Sequence, residues 1–178
     1  MRTTRKLITF EHSLELPEDK CEEVINGVSH HAPPPGVAHA RAIRRIFVAL
    51  ESRLDPAAHE ILFASFGQLI SKQPLTYRNP DVAVYRSGDV GGEHYVSSTP
   101  ELIVEVVSPG NRKGNLDELL RHYAASGVPA VWFVYLDRRQ VRTLALSDRR
   151  YLETACLSGG PVEVLGATID AGEIWGHD

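Results

Sequence analysis

Apolar residues recur along this chain with two periods, one suited to strands and one to helices. The densest run is 101–109, ELIVEVVSP, where Leu102, Ile103, Val104, Val106 and Val107 stand almost side by side. Such a β-branched run predicts a strand buried on both faces. Alternate side chains of a strand share a face, so Ile103, Glu105 and Val107 point one way and Leu102, Val104 and Val106 the other. DVAVY at 81–85, entered through the Asn79-Pro80 turn, and VWFVYL at 131–136 predict two further strands. EILFASFGQLISK at 60–72 predicts one strand with a bulge or bend at Gly67. Segments 140–146 and 151–157 predict a meander around the charged turn SDRR, and CEEVINGVSHH predicts a hairpin turning on Asn26-Gly27.

The helical period appears twice. From roughly His39 to Leu54, the residues Ile43, Ile46, Phe47, Leu50 and Leu54 make a stripe at i, i+3, i+4 and i+7, with Arg41, Arg44 and Arg45 beside it. From about Asn115 to Ser126, Leu116, Leu119, Leu120 and Tyr123 make a second stripe, which Gly127 ends. A brief helical turn before Pro17, a rigid approach at APPPG (32–36) and a tail with one short strand and a helical turn anchored by Ile174 and Trp175 complete the elements. The Gly- and Ser-rich stretch 86–99 is a long connection, of a length that often serves function. Strand, helix and strand from 101 to 136 predict a right-handed crossover with parallel pairing, and 81–85 can pair antiparallel with 101–107. The expected class is therefore α/β (α+β): a mixed central β-sheet flanked by helices, with an N-terminal hairpin and a C-terminal meander.

Composition narrows the function. The 178 residues are enough for one domain with a substantial core. A net charge of −4, from 19 basic and 23 acidic residues, argues against a general nucleic-acid coat and leaves room for a local basic face. Cys21 and Cys156 lie far apart and form no CxxC pair; with no apolar leader at the N-terminus, a reducing cytoplasm is the simplest expectation. No apolar run approaches the roughly 20 residues that span a bilayer.

Three acids stand at strand positions: Glu23, Asp81 and Glu105. A carboxylate among apolar neighbours is costly to bury as an ion without a positive partner. An Asp heading one strand and a Glu inside its neighbour can converge, and a divalent cation is the usual resolution of their repulsion. Oxygen donors favour Mg²⁺ or Mn²⁺, and such an ion can activate water against a phosphodiester. A turn residue for Asp81, an edge-strand charge for Glu23 and a salt-bridged core acid for Glu105 are the structural alternatives. Arg41, Arg44, Arg45, Arg112, Lys113, Arg138 and Arg139 are the candidates for holding DNA, each with an ordinary surface charge as its alternative.

The order Pro80-Asp81, then Glu105-Val106-Val107-Ser108-Pro109, then a helix ending YAASGVP and the strand AVWFVYLD, resembles the Uma-type family of bacterial restriction endonucleases, within the PD-(D/E)XK nuclease superfamily. EEVINGV resembles that family's opening, and PPPGVAHARAIRRI resembles its Pro-rich stretch, histidine and first helix; the likeness runs from about Leu7 to Trp175. The resemblance implies a restriction endonuclease-like fold and Mg²⁺- or Mn²⁺-dependent hydrolysis of DNA. It implies Asp81 and Glu105 as metal-binding and catalytic acids, the Val106 carbonyl as a further donor, Glu23 as an additional acid, and a homodimer, since two strands need two centres.

The family pattern wants a lysine two positions after the Glu, or on the following helix four positions before the Tyr. Those positions hold Val107 and Leu119. Arg121 lies about 200° around the helix from Leu119 and is a poor replacement. Lys113 is the expected substitute, with His122 second. Besides an endonuclease, the sequence accommodates a catalytically degenerate relative that binds DNA or a protein, and a fold whose Glu105 is a salt-bridged core acid without metal.

Overall fold

The computed structural model describes residues 7–16, 22–31, 36–63, 66–92, 94–107 and 113–176, without the side chains of 113–115. The basic arm Arg2, Arg5 and Lys6, the stop at Pro17, Cys21, the prolines 33–35, Pro109-Gly110 and Arg112 lie outside them.

After α1 (Phe10–Ser13), the hairpin β1 (Glu22–Ile25) and β2 (Val28–His31) turns on Asn26 and Gly27, both at positive φ. The expected Asn-Gly turn is thus present; Gly27 is also where Leu7 comes close, 3.0 Å from where a Cβ would stand. Next comes α2 (Val37–Glu51). It buries Ala42, Ile43, Ile46, Ala49 and Leu50, while Phe47 is only half-buried and stacks on Phe63 at 4.2 Å between ring centroids.

The 60–72 segment is two strands and not one. β3 (His59–Phe63) and β4 (Gly67–Lys72) join different sheets. Gly67 opens the second strand, where a Cβ would come within 2.6 Å of the Tyr95 ring, so only glycine fits the approach. The turn-like stretch before Asn79 holds a further strand, β5 (Leu75–Arg78), buried throughout. β6 (Val82–Arg86) follows, and β7 (Tyr95–Val96) lies inside the 86–99 connection. Then come β8 (Leu102–Val107), α3 (Lys113–Ala125), β9 (Ala130–Tyr135), β10 (Gln140–Ser147) and β11 (Arg150–Leu157). The tail forms two strands where one was expected, β12 (Pro161–Val164) and β13 (Ala167–Asp170), before α4 (Gly172–Trp175).

The central sheet has the order β11-β10-β9-β8-β6-β3. β6 is antiparallel and β9 parallel to β8, as the crossover pattern requires. Alternation splits β8 between two apolar clusters. Leu102, Val104 and Val106 meet α2, α4 and the β12–β13 hairpin, and Ile103 and Val107 meet the α3 face with Tyr123 and Phe133. Burying both faces of a mixed sheet is what supports a run of β-branched residues with so few polar interruptions. A second sheet, β2-β1-β5-β4-β7, packs around Val24, Leu75 and Tyr77. Among the described residues, no helix is long and apolar enough to cross a membrane.

Candidate active site

The register of the central sheet assembles the acids. Val82 pairs with Val104, so Asp81, one residue earlier, comes level with Glu105. Val107 pairs with Tyr135 on the parallel strand. The start of β6 and the ends of β8 and β9 therefore share one edge, where α2 also begins. Asp81 is held there by the backbone: the Val106 N–H donates to Asp81 Oδ2 at 2.6 Å. From α2, His39 Nε2 lies 3.3 Å from Asp81 Oδ2 and 3.1 Å from the Val106 carbonyl oxygen.

Glu105 meets α3, where the Tyr123 hydroxyl donates to Glu105 Oε1 at 2.5 Å. Glu105 is half-buried, so part of it meets solvent at the sheet edge. Burial of the carboxyl pushes its pKa well above the usual range, and the Asp81 charge pushes it the same way. The Tyr123 hydrogen bond and the Arg78 charge oppose the shift, and Glu23 adds to it. Burial, then the Glu105 charge, holds Tyr123 firmly in its phenol form. The His39 pKa is raised, because its hydrogen bond with Asp81 outweighs the cost of burial. Two neighbouring acids, one resisting ionisation, create a demand for positive charge at this spot.

Glu23 is engaged from both sides. Its Oε2 accepts from Arg78 Nη1 at 2.8 Å, and its Oε1 accepts from the Asn79 N–H at 3.0 Å. Arg78 is the residue that the sequence reading missed. Its side chain is 3% exposed, and it also reaches Glu118 Oε2 at 3.4 Å and His122 Nδ1 at 3.1 Å. Burial and the Arg78 charge lower the His122 pKa, so this ring is neutral and accepts from Arg78 Nε. The signal for Arg78 was the alternation in LTYR, obscured by prolines on either side. His39 had a signal too: it stands three and four residues before Ala42 and Ile43, at the head of the buried stripe.

Of the arginines expected to hold DNA, Arg41 and Arg44 are exposed on α2. Arg45 instead turns to α4, donating to the carbonyls of Ile174 (3.4 Å) and Trp175. Arg112 and the side chain of Lys113 lie outside the described residues. Val107 and Leu119, at the positions where a lysine was sought, both belong to the apolar cluster under α3. Among the described residues, no three His, Cys, Asp or Glu side chains gather as a complete metal cage. The oxygens at the edge are those of Asp81, the Val106 carbonyl and an adjacent acid, Glu105, tied to a tyrosine. Their chemistry fits a hard or borderline divalent cation.

Residues 9–172 match the Uma2 family, described as "Putative restriction endonuclease". The chain belongs to this family. Its fold also matches the crystal structure of "a putative nuclease belonging to DUF820" from Anabaena variabilis ATCC 29413. That match has a TM-score of 0.74 at 16% identity and covers 94% of this chain and 97% of the other. At that identity the likeness is one of fold. No curated protein matches the chain. Within the Uma2 family, then, this chain carries Asp81 and Glu105 at the sheet edge and a buried arginine nearby.

Proposed function

We propose that this Uma2 protein is a divalent-metal-dependent endonuclease that hydrolyses DNA phosphodiester bonds. The observation that carries the reading is the β6–β8 register, which brings Asp81 level with Glu105 beside the Val106 carbonyl. Asp81, Glu105 and that carbonyl are the proposed donors for Mg²⁺ or Mn²⁺. Such an ion supplies an acidified water and neutralises charge on the phosphodiester. The chain's own part is positional. Val106 N–H orients Asp81, Tyr123 orients Glu105, and Arg78 is a buried cation close enough to favour ionised Glu105. Both oxygens of Glu23 are engaged, which favours a role in seating Arg78. Lys113, at the head of α3, remains the proposed substitute for the family lysine. Exposed Arg41 and Arg44 are proposed phosphate contacts, and cutting both strands would call for a homodimer.

The test is incubation of purified protein with plasmid, linear duplex and single-stranded DNA in Mg²⁺ or Mn²⁺. Cleavage is expected, and Glu105→Ala is expected to lower it by at least about a hundredfold. Absence of cleavage by wild type on every form would contradict the reading. A second reading, DNA or protein binding without hydrolysis, draws on the apolar burial of Val107 and Leu119. Under it, wild type is inert and Leu119→Lys gains metal-dependent cleavage.

A further inference from the structure

The acids of the sheet edge have a neighbour on β9 that the reading above leaves without a role. In the parallel register Glu105 pairs with Phe133 and Val107 with Tyr135, so Tyr135 ends its strand on the same face as Glu105. Two residues of strand advance about 7 Å, which sets Tyr135 beyond the acids rather than among them. Its ring is held from several sides. Phe133 meets it edge-on, 6.4 Å between centroids. Arg142 Nη1 donates to its hydroxyl at 3.4 Å, and Arg142 Nε donates to Glu153 Oε2 at 2.6 Å. Arg138, in the turn from β9 to β10, places its guanidinium over the ring, with Cζ 5.5 Å from the centroid. The Arg138 side chain is 66% exposed, and Asp137 Oδ2 stands 3.8 Å from its Nε, a surface pairing of little strength.

We propose that Arg138 and Tyr135 form a stacking platform for an unpaired base, so that the substrate at this edge is single-stranded DNA or a frayed end rather than uniform duplex. The inference rests on the nuclease reading of the edge and names its substrate class. A phosphate contact needs only charge, which a lone surface arginine supplies. A base needs a flat partner: unpaired bases stack on aromatic rings and guanidinium planes, and each stacked base strengthens binding about fivefold or more. In duplex the bases already stack on one another and offer a protein only backbone and groove edges. The contact with Tyr135 orders the Arg138 guanidinium before any ligand arrives, and such ordering lowers the cost of binding. Phe133 and Arg142 do the same for the ring beneath it. A contact that reads charge alone gains nothing from this backing.

The experiment measures fluorescence anisotropy of labelled DNA with the full chain in chelator. The probes are an oligothymidylate of about 16 nucleotides, a blunt duplex of matched length, and a matched abasic strand that keeps every phosphate. Wild type is expected to bind the oligothymidylate at least about fivefold more tightly than either other probe. Arg138→Lys keeps the charge and loses the plane, and is expected to abolish that preference. Tyr135→Leu keeps an apolar contact for Phe133 and is expected to abolish it too. Circular dichroism reports whether the variants fold, and the comparison of probes on wild type needs no variant. Equal wild-type affinity for the oligothymidylate and the abasic strand overturns the inference, and Arg138 is then a charge and no more. A preference that survives intact in Arg138→Lys overturns it as well. So does failure to bind the oligothymidylate by a protein that cuts DNA in Mn²⁺, with the nuclease reading left standing. A protein that neither binds the probes nor cuts DNA in Mn²⁺ overturns that reading and this inference with it.

Discussion

Glu105 is a carboxyl whose charged form the folded protein disfavours. Its raised pKa, caused first by burial and then by Asp81, means that the folded protein holds this proton more tightly than the unfolded chain. The sign follows: stability from this group is fully present below its ordinary value and is lost as pH rises through the raised folded value. Metal-free wild type should therefore lose stability from weakly acidic to neutral pH. Glu105→Gln keeps an acceptor for Tyr123 and removes that loss. Thermal melts in chelator should show the variant more stable at neutral pH, with the gap closing near pH 4. Addition of Mn²⁺ should raise the melting temperature of wild type and not of the variant, because only the ionised acid gains a partner. A wild-type melting temperature flat with pH, equal to that of Glu105→Gln, would contradict this.

At the scale of elements, β5 and the N-terminal hairpin act as a brace for the site. Arg78 ties β5 to Glu23 on β1 and to Glu118 and His122 on α3. Removing one side of a buried ion pair leaves the partner without compensation. Arg78→Ala should cost on the order of 3 kcal/mol by urea unfolding. Arg78→Lys should recover part of it, since an ammonium cannot serve three partners with the geometry of a guanidinium. A change under about 0.5 kcal/mol, ordinary for a surface site, would show that the network carries little. In the core of α2, Ile46→Ala should cost about 2–5 kcal/mol, because the residue is fully buried between helix and sheet.

Elements also show what the sequence could convey. The β6, β8 and β9 strands, the crossover through α3 and the acids of the sheet edge were legible because β-branched runs and i, i+3, i+4 stripes carry their own period. The split of 60–72 was not. Its apolar residues run on through both strands, and the close approach of Tyr95 to Gly67 is a tertiary fact. β5 was hidden because its alternation is short, Leu75 to Arg78, and stands between Pro74 and Pro80. Arg78 was hidden with it, since a buried arginine looks like a surface one until its acids arrive from β1 and α3. Arg45 was misleading in the opposite direction: its place off the apolar stripe suggested phosphate, and its partners are carbonyls of α4.

For the molecule as a whole, the chemistry gathers at one edge of one sheet. Asp81, Glu105, the Val106 carbonyl and His39 come from three elements that are distant in sequence and fixed by the two apolar clusters. Arg138, at the turn after β9, and Arg41 and Arg44 on α2 are exposed basic residues of a chain whose net charge is −4. On the endonuclease reading proposed above, these are the residues that would draw a polyanion to one place rather than let it coat the whole surface. The central claim is that this edge holds a divalent cation. Its most direct measurement is anomalous diffraction from crystals of the protein grown or soaked with Mn²⁺. Expected is a manganese peak bounded by Asp81, Glu105 and the Val106 carbonyl, absent in crystals of Glu105→Ala. A well-ordered edge with Tyr123 on Glu105, His39 on Asp81 and no manganese peak at saturating Mn²⁺ would contradict it.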